Sequence, residues 1–427
     1  MKLKRILNLL LISCALSNVC AQDTLRNKNK AFFSNNLNLT QLIPYKIIST
    51  GKNSGDYQAV PDMCRLKNGD IIVVFYAGDN HVTFPSEKYP KAGRICLTRS
   101  KDEGQTWSTP ITIFDDAHDN RDPHINQLSD STIICSFFSL EFDLITKKCN
   151  YEKIIENTKE ESINYGNNPD LLRDLEIETM PPTKKWTGRG PFIIKSYDDG
   201  NSWEQEPVLI PTHDIDWYSS AKVQELPDGR YLLPIYHTDL YKNSGWGGVV
   251  FSLDKGTTWN NITSIGKEAN LMLAAETEVI LLKDNTLYAI MRGDGFKINM
   301  HYSVSYDMGK SWKSVNDIGF AGHSPSFTRL KSNEIILSYR AYDPQLGYYT
   351  GIRMSRDEAK TWEGPYLIDT KAGAYPSTVE LKDGSVLIVY YEEGLNSSIR
   401  AVRFRKPTYS VNNSLLQILN VDYLPLE

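Results

Sequence analysis

The sequence of 427 residues is poor in the side chains that hold metals, with 6 cysteines and 7 histidines, and no two cysteines stand at CxxC spacing or near a histidine in a zinc-site pattern. A structural metal is therefore not expected, and no cofactor is implied. Charge of one sign is also missing: 47 Lys and Arg against 52 Asp and Glu leave a formal net charge of −5, too mild and too evenly spread for nucleic acid. With 41% apolar and 23% charged residues, the chain is neither disordered nor collagen-like nor coiled coil. Long apolar runs are absent beyond the N-terminus, and no later segment approaches the roughly 18 apolar residues of a membrane helix.

The N-terminus itself reads as an export signal. Met1 to Arg5 is basic, Ile6 to Ala15 is mostly apolar, and Val19-Cys20-Ala21 supplies small residues before Gln22. Residues 1–21 are expected to be removed, giving a secreted or periplasmic protein. The alternative is a lipobox at Leu11-Ile12-Ser13-Cys14, which would make a cell-surface lipoprotein anchored through Cys14. Cleavage leaves Cys64, Cys96, Cys135 and Cys149, whose disulfide state the spacing does not assign.

What is present is a repeat. Five copies of one octapeptide recur: Ser100 to Trp107, Ser196 to Trp203, Ser252 to Trp259, Ser305 to Trp312 and Ser355 to Trp362, each Ser-x-Asp-x-Gly-x-Thr/Ser-Trp except that Ala359 replaces Gly in the last. This pattern predicts a hairpin turn in which Asp caps backbone N–H groups, Gly takes a positive φ and Trp tucks under the adjoining strand. The Ala359 turn is expected to be strained. A second repeat interleaves with it, running Val60–Tyr76, Asp122–Phe138, Ser220–Tyr236, Glu276–Arg292, Ser324–Arg340 and Tyr375–Tyr391, with a leucine six residues into each copy. Six strand-rich units of roughly 50 residues predict an all-β, six-bladed β-propeller. Six inner strands with five octapeptides suggest that the N-terminal strand near Tyr45 to Thr50 completes the last blade. The domain expected is residues 22–427, with a charged, partly helical insertion at about 140–190.

The octapeptides resemble the Asp boxes of the sialidase superfamily, and the six-unit register is similar to that family across nearly the whole mature chain. Ala275-Glu276-Thr277-Glu278-Val279 through Met291-Arg292 resembles the segment carrying the family's catalytic glutamate and one arginine of its carboxylate-binding triad. Ala374-Tyr375-Pro376-Ser377 resembles the segment of its tyrosine nucleophile. A neutral tyrosine suits a sugar whose anomeric carbon bears a carboxylate, because a carboxylate nucleophile would be repelled. A phenol of ordinary pKa near 10 then needs a nearby base, the part that falls to Glu276. The chain departs from the family at the first inner strand, where Ala59-Val60-Pro61 replaces Arg-Ile-Pro, and in the loop Ala77 to Thr83, which offers Asp79 or His81 as acid. It departs again at Gln345-Leu346-Gly347-Tyr348, where the third arginine is missing.

The internal register suggests replacements. Asp122 occupies the position of Glu276 and Tyr375, with Arg121 before it, and Arg340 occupies the position of Arg292. In a propeller such equivalents ring the axis at equal depth. The expected site is Tyr375 as nucleophile, Glu276 as base and Asp122 as acid/base, with Arg121, Arg292 and Arg340 gripping an anion and Asp79 and His323 beside the substrate. Plainer readings stand next to it: Arg121–Asp122 as a structural ion pair, Tyr375 as strand packing, and Tyr76, Tyr236 and Tyr391 as channel filling. The function expected is an exo-acting, retaining glycoside hydrolase releasing a terminal sialic acid or related sugar from glycans. The rival is a sialidase-like propeller that binds glycans without turnover.

Overall fold

The computed structural model describes residues 44–83, 91–144, 184–212, 215–239, 244–273, 276–293, 298–343, 347–369, 373–392, 397–407 and 421–426. The expected export signal, the alternative lipobox at Cys14, Cys149 and most of the 140–190 insertion lie outside them. Within the compact unit Pro44–Glu427, the strands form six antiparallel sheets. Neighbouring sheets touch in a closed cycle, the sixth against the first, which is a six-bladed propeller. The inner strands are Tyr57–Arg65, Asp119–Gln127, the pair Trp217–Tyr218 and Gln224–Glu225, Thr277–Leu281, Gly322–Arg329 and Gly373–Glu380. Described helices are a single turn at Gly51–Ser54 and a 3-10 turn at Lys267–Ala269, and no described helix is long and apolar enough to cross a membrane.

Strands Ile133–Leu144 and Lys184–Ser196 of the second blade pair as far as Leu144 with Lys184. The described flanks of the insertion are thus strand, the hairpin continuing past the Ser139↔Gly190 pair. Closure is as expected: Lys46–Ser49 adds to the outside of Ile399–Arg405 in the sixth blade, so one sheet joins the two ends of the described chain.

The octapeptides fold alike. In the third copy the Ser252 hydroxyl donates to Asp254 at 2.8 Å and accepts the Gly256 N–H at 2.7 Å, while Asp254 accepts the Thr258 N–H at 2.8 Å. The tryptophans do not tuck under their own strands. Each enters the apolar seam with the preceding blade: Trp107 joins the core between blades six and one, Trp203 that between one and two, and Trp259, Trp312 and Trp362 the next three. The seam offers the turn apolar surface because each sheet buries its faces against its neighbours. Gly309 shows why glycine is favoured here, for a Cβ at that position would stand 2.7 Å from the Phe251 ring of the blade before it. Ala359 keeps the Ser355 hydrogen bond at 2.8 Å while holding φ at +60°, the strain expected from the sequence.

Candidate functional site

Along the inner strands the backbone breaks at one depth. Pairing runs from Ala59↔Tyr76 to Asp62↔Val74, from Arg121↔Phe138 to His124↔Ser136, from His323↔Arg340 to Ser326↔Ser338, and from Ala374↔Tyr391 to Ser377↔Val389. At each step two residues oppose one, a β-bulge. The first bulged residue is left-handed: Val60 at φ +52°, Asp122 at +49°, Ser324 at +52° and Tyr375 at +52°, with Glu276 at +22° in the fourth blade. A proline follows in the four bulges, at 61, 123, 325 and 376, where its missing N–H costs no ladder bond. Left-handed backbone at a non-glycine residue costs on the order of 1–3 kcal/mol and concentrates at functional sites. Here it brings together Asp122, Glu276 and Tyr375 from blades two, four and six.

The Tyr375 hydroxyl donates to Glu276 Oε1. Arg292 Nη1 donates to both Glu276 oxygens, at 2.9 and 3.0 Å. Burial, then the Glu276 and Asp122 charges, push the Tyr375 phenol well above its usual range, with Arg292 and Arg340 opposing. The phenol is therefore protonated at rest, and its proton points at an acceptor. Burial also lifts the Asp122 carboxyl to about 7; Arg121 opposes the rise and Glu276 reinforces it. An acid poised near neutrality thus faces a phenol already bonded to a carboxylate, the pairing that splits acid and base roles.

The arginines divide. Arg292 and Arg340 flank His323, whose imidazole is held well below its usual range by burial and by those two charges. The Arg340 guanidinium lies 5.9 Å from the Tyr375 ring and 5.5 Å from the Tyr348 ring. Arg121 is built into the wall: it donates to the His81 carbonyl and, at 3.2 Å, to Asp119, and lies 5.2 Å from the Tyr76 ring. Asp119 also accepts from the Tyr76 hydroxyl at 2.8 Å. Asp79 is exposed, its backbone N–H bonded to Thr83 at 3.1 Å, and His81 accepts or donates at Tyr57 over 2.9 Å; the loop thus braces Arg121. Tyr76, Tyr236 and Tyr391 are buried.

Two members escaped the sequence reading. Asp119 carried a signal, standing two residues before Arg121 on the same strand face. Tyr348, whose hydroxyl is 3.5 Å from His323 Nε2, sits in the stretch that had been noted for its missing arginine. Among the described residues no group of His, Cys, Asp and Glu is placed to hold a metal.

No curated protein matches the chain in sequence. Among solved structures it is similar to a protein of unknown function from Dyadobacter fermentans, at 21% identity over 84% of this chain and 97% of that one, TM-score 0.65. It is also similar to the NanB sialidase of Streptococcus pneumoniae, at 16% identity over 85% and 71% of the two chains, TM-score 0.60. A third is the intramolecular trans-sialidase of Ruminococcus gnavus, solved with oseltamivir carboxylate, at 12% identity over 86% and 98%, TM-score 0.60. These likenesses establish the fold, and the family model of a BNR repeat-like domain matches residues 177–390, half of the chain. The six blades, the repeated Asp-box turns and that match together make this chain a member of the BNR repeat-like domain family with a sialidase-type propeller.

Proposed function

We propose that the protein is an exported, exo-acting, retaining glycoside hydrolase that removes a terminal sialic acid or a related acidic sugar from glycans. The observation that carries this reading is the Tyr375–Glu276–Arg292 chain, a buried phenol donating to a carboxylate that an arginine holds in place. In the first step the Tyr375 oxygen attacks the anomeric carbon, its proton passes to Glu276, and Asp122 gives its proton to the departing glycosidic oxygen. In the second, Asp122 takes a proton from water as the water's oxygen displaces the tyrosine, whose oxygen recovers the proton from Glu276. Arg340 and Arg292 supply positive charge for the sugar's carboxylate, with guanidinium geometry suited to two oxygens. Arg121, pinned by Asp119, contributes field more than reach. That two of the similar structures are a sialidase and an intramolecular trans-sialidase supports the substrate class, and the altered arginines support a sugar related to sialic acid as much as sialic acid itself.

The test is hydrolysis of a panel of aryl glycosides, sialic acid beside other acidic and neutral sugars, by wild type and Tyr375→Phe. Release of an acidic sugar by wild type, lost in the Phe variant, is expected. Wild-type turnover by Tyr375→Phe would remove the nucleophile assignment, and silence on every substrate would remove the enzyme reading.

A further inference from the structure

Two residues beyond the five strained positions and their third-blade equivalent Ser220, the inner strands carry a second set of polar side chains: Asp62, His124, Lys222, Glu278, Ser326 and Ser377. Asp62, Lys222 and Ser377 are committed to the frame. Asp62 accepts the Ile125 N–H of the next blade at 2.7 Å and pairs with Lys222 at 3.2 Å, and Ser377 accepts the Met63 N–H at 3.3 Å. His124 is different. Its Nδ1 bonds to the Asp122 carbonyl oxygen at 3.1 Å, and since a carbonyl only accepts, the ring proton sits on Nδ1. Among the described residues Nε2 has no hydrogen bond. Burial lowers this imidazole below its usual range, so Nε2 keeps a lone pair.

His124 lines a small cavity on the propeller axis together with Asp62, Ser220, Ser324, Ser326 and Tyr375. Its volume of ≈ 10 Å³ is about what one water molecule requires, provided two to four polar partners surround it. Two are at hand: the Ser324 hydroxyl, 4% exposed, has no hydrogen-bond partner, and the Ser220 hydroxyl, 3% exposed, lies against the Asp122 carboxyl and keeps capacity for a second bond. A buried hydroxyl without a partner on the wall of a cavity of this size points to an occupant.

We infer that His124 is a positioning residue of the site. Its Nδ1–H holds the Asp122 carbonyl, and with it the left-handed backbone that turns the Asp122 side chain into the channel, while Nε2 and the Ser220 and Ser324 hydroxyls hold one buried water beside Tyr375. The inference rests on the reading of Asp122 as acid/base. The charged groups that face Asp122 are Arg121, Glu276 and Asp119, and those that face His124 are Asp62, Lys222 and Glu276.

Two measurements on the wild-type protein test it without turnover: the imidazole tautomer of His124 by nitrogen NMR, and a high-resolution crystal structure of the channel. Nδ1–H and one ordered water within hydrogen-bond reach of both serines are expected; Nε2–H or a dry cavity overturns the inference. A kinetic arm follows. His124→Leu should lower kcat by about 10- to 100-fold with KM little changed and shift the alkaline limb of the pH profile. His124→Asn, whose amide N–H stands where Nδ1–H does, should restore most of the rate. Unchanged kcat and pH profile in a folded His124→Leu would overturn the positioning role. A wild-type protein silent on all glycosides would instead remove the hydrolase reading, leaving tautomer and water to decide this one.

Discussion

At the scale of the residue, the site trades stability for chemistry. Asp122 is buried with its carboxyl raised from 3.8 to about 7, so between about pH 4 and 7 the folded chain retains a proton that the unfolded chain has released. Stability contributed by this group is present below that window and falls as pH rises through it. Asp122→Asn should therefore raise the melting temperature at pH 8 relative to wild type, a gain of roughly 0.5–2 kcal/mol, while abolishing turnover; a thermal melt beside an activity assay checks both. For wild type, kcat/KM should fall as pH rises above about 7, where the acid is lost before the sugar binds. A profile flat from pH 6 to pH 9 would move the acid to another group.

Elements explain why some of this was legible in sequence and some was not. The register of the second repeat placed Asp122 with Glu276 and Tyr375, and Arg340 with Arg292, because strand pairing is periodic and a repeat repeats its pairing. The left-handed bulge was not read, although its signature was present: a proline directly after Val60, Asp122, Ser324 and Tyr375, within segments that otherwise read as strands. The direction of the tryptophans was missed because it depends on the neighbouring blade, which no local pattern encodes. Since these rings fill seams, Trp259→Ala, buried at 3% exposure, should cost about 3–5 kcal/mol, read by denaturant unfolding. Ser252→Ala, which leaves the Gly256 N–H without its acceptor, should cost about 1–3 kcal/mol. Neither residue adjoins the channel groups, so kcat should be retained in the fraction that stays folded.

For the whole molecule, the decisive contact is the pairing of Lys46–Ser49 with the sixth blade, whose inner strand carries Tyr375. Removing residues 44–50 should lower the melting temperature and lower activity in proportion to the folded fraction, as followed by calorimetry and hydrolysis side by side. Loss of activity with an unchanged melt would mean that the strand serves the site and not the ring.

The left-handed bulge has a wider consequence. Backbone turn and following proline belong to the blade and not to the side chain it displays, so the molecule offers a carousel of mounts at one depth, only some of which hold reactive groups. Val60 is a mount already cocked and carrying idle cargo. A single substitution there would place a functional group on a further blade without rebuilding any loop, a low barrier by which a propeller of this kind can rearrange its chemistry around a fixed axis.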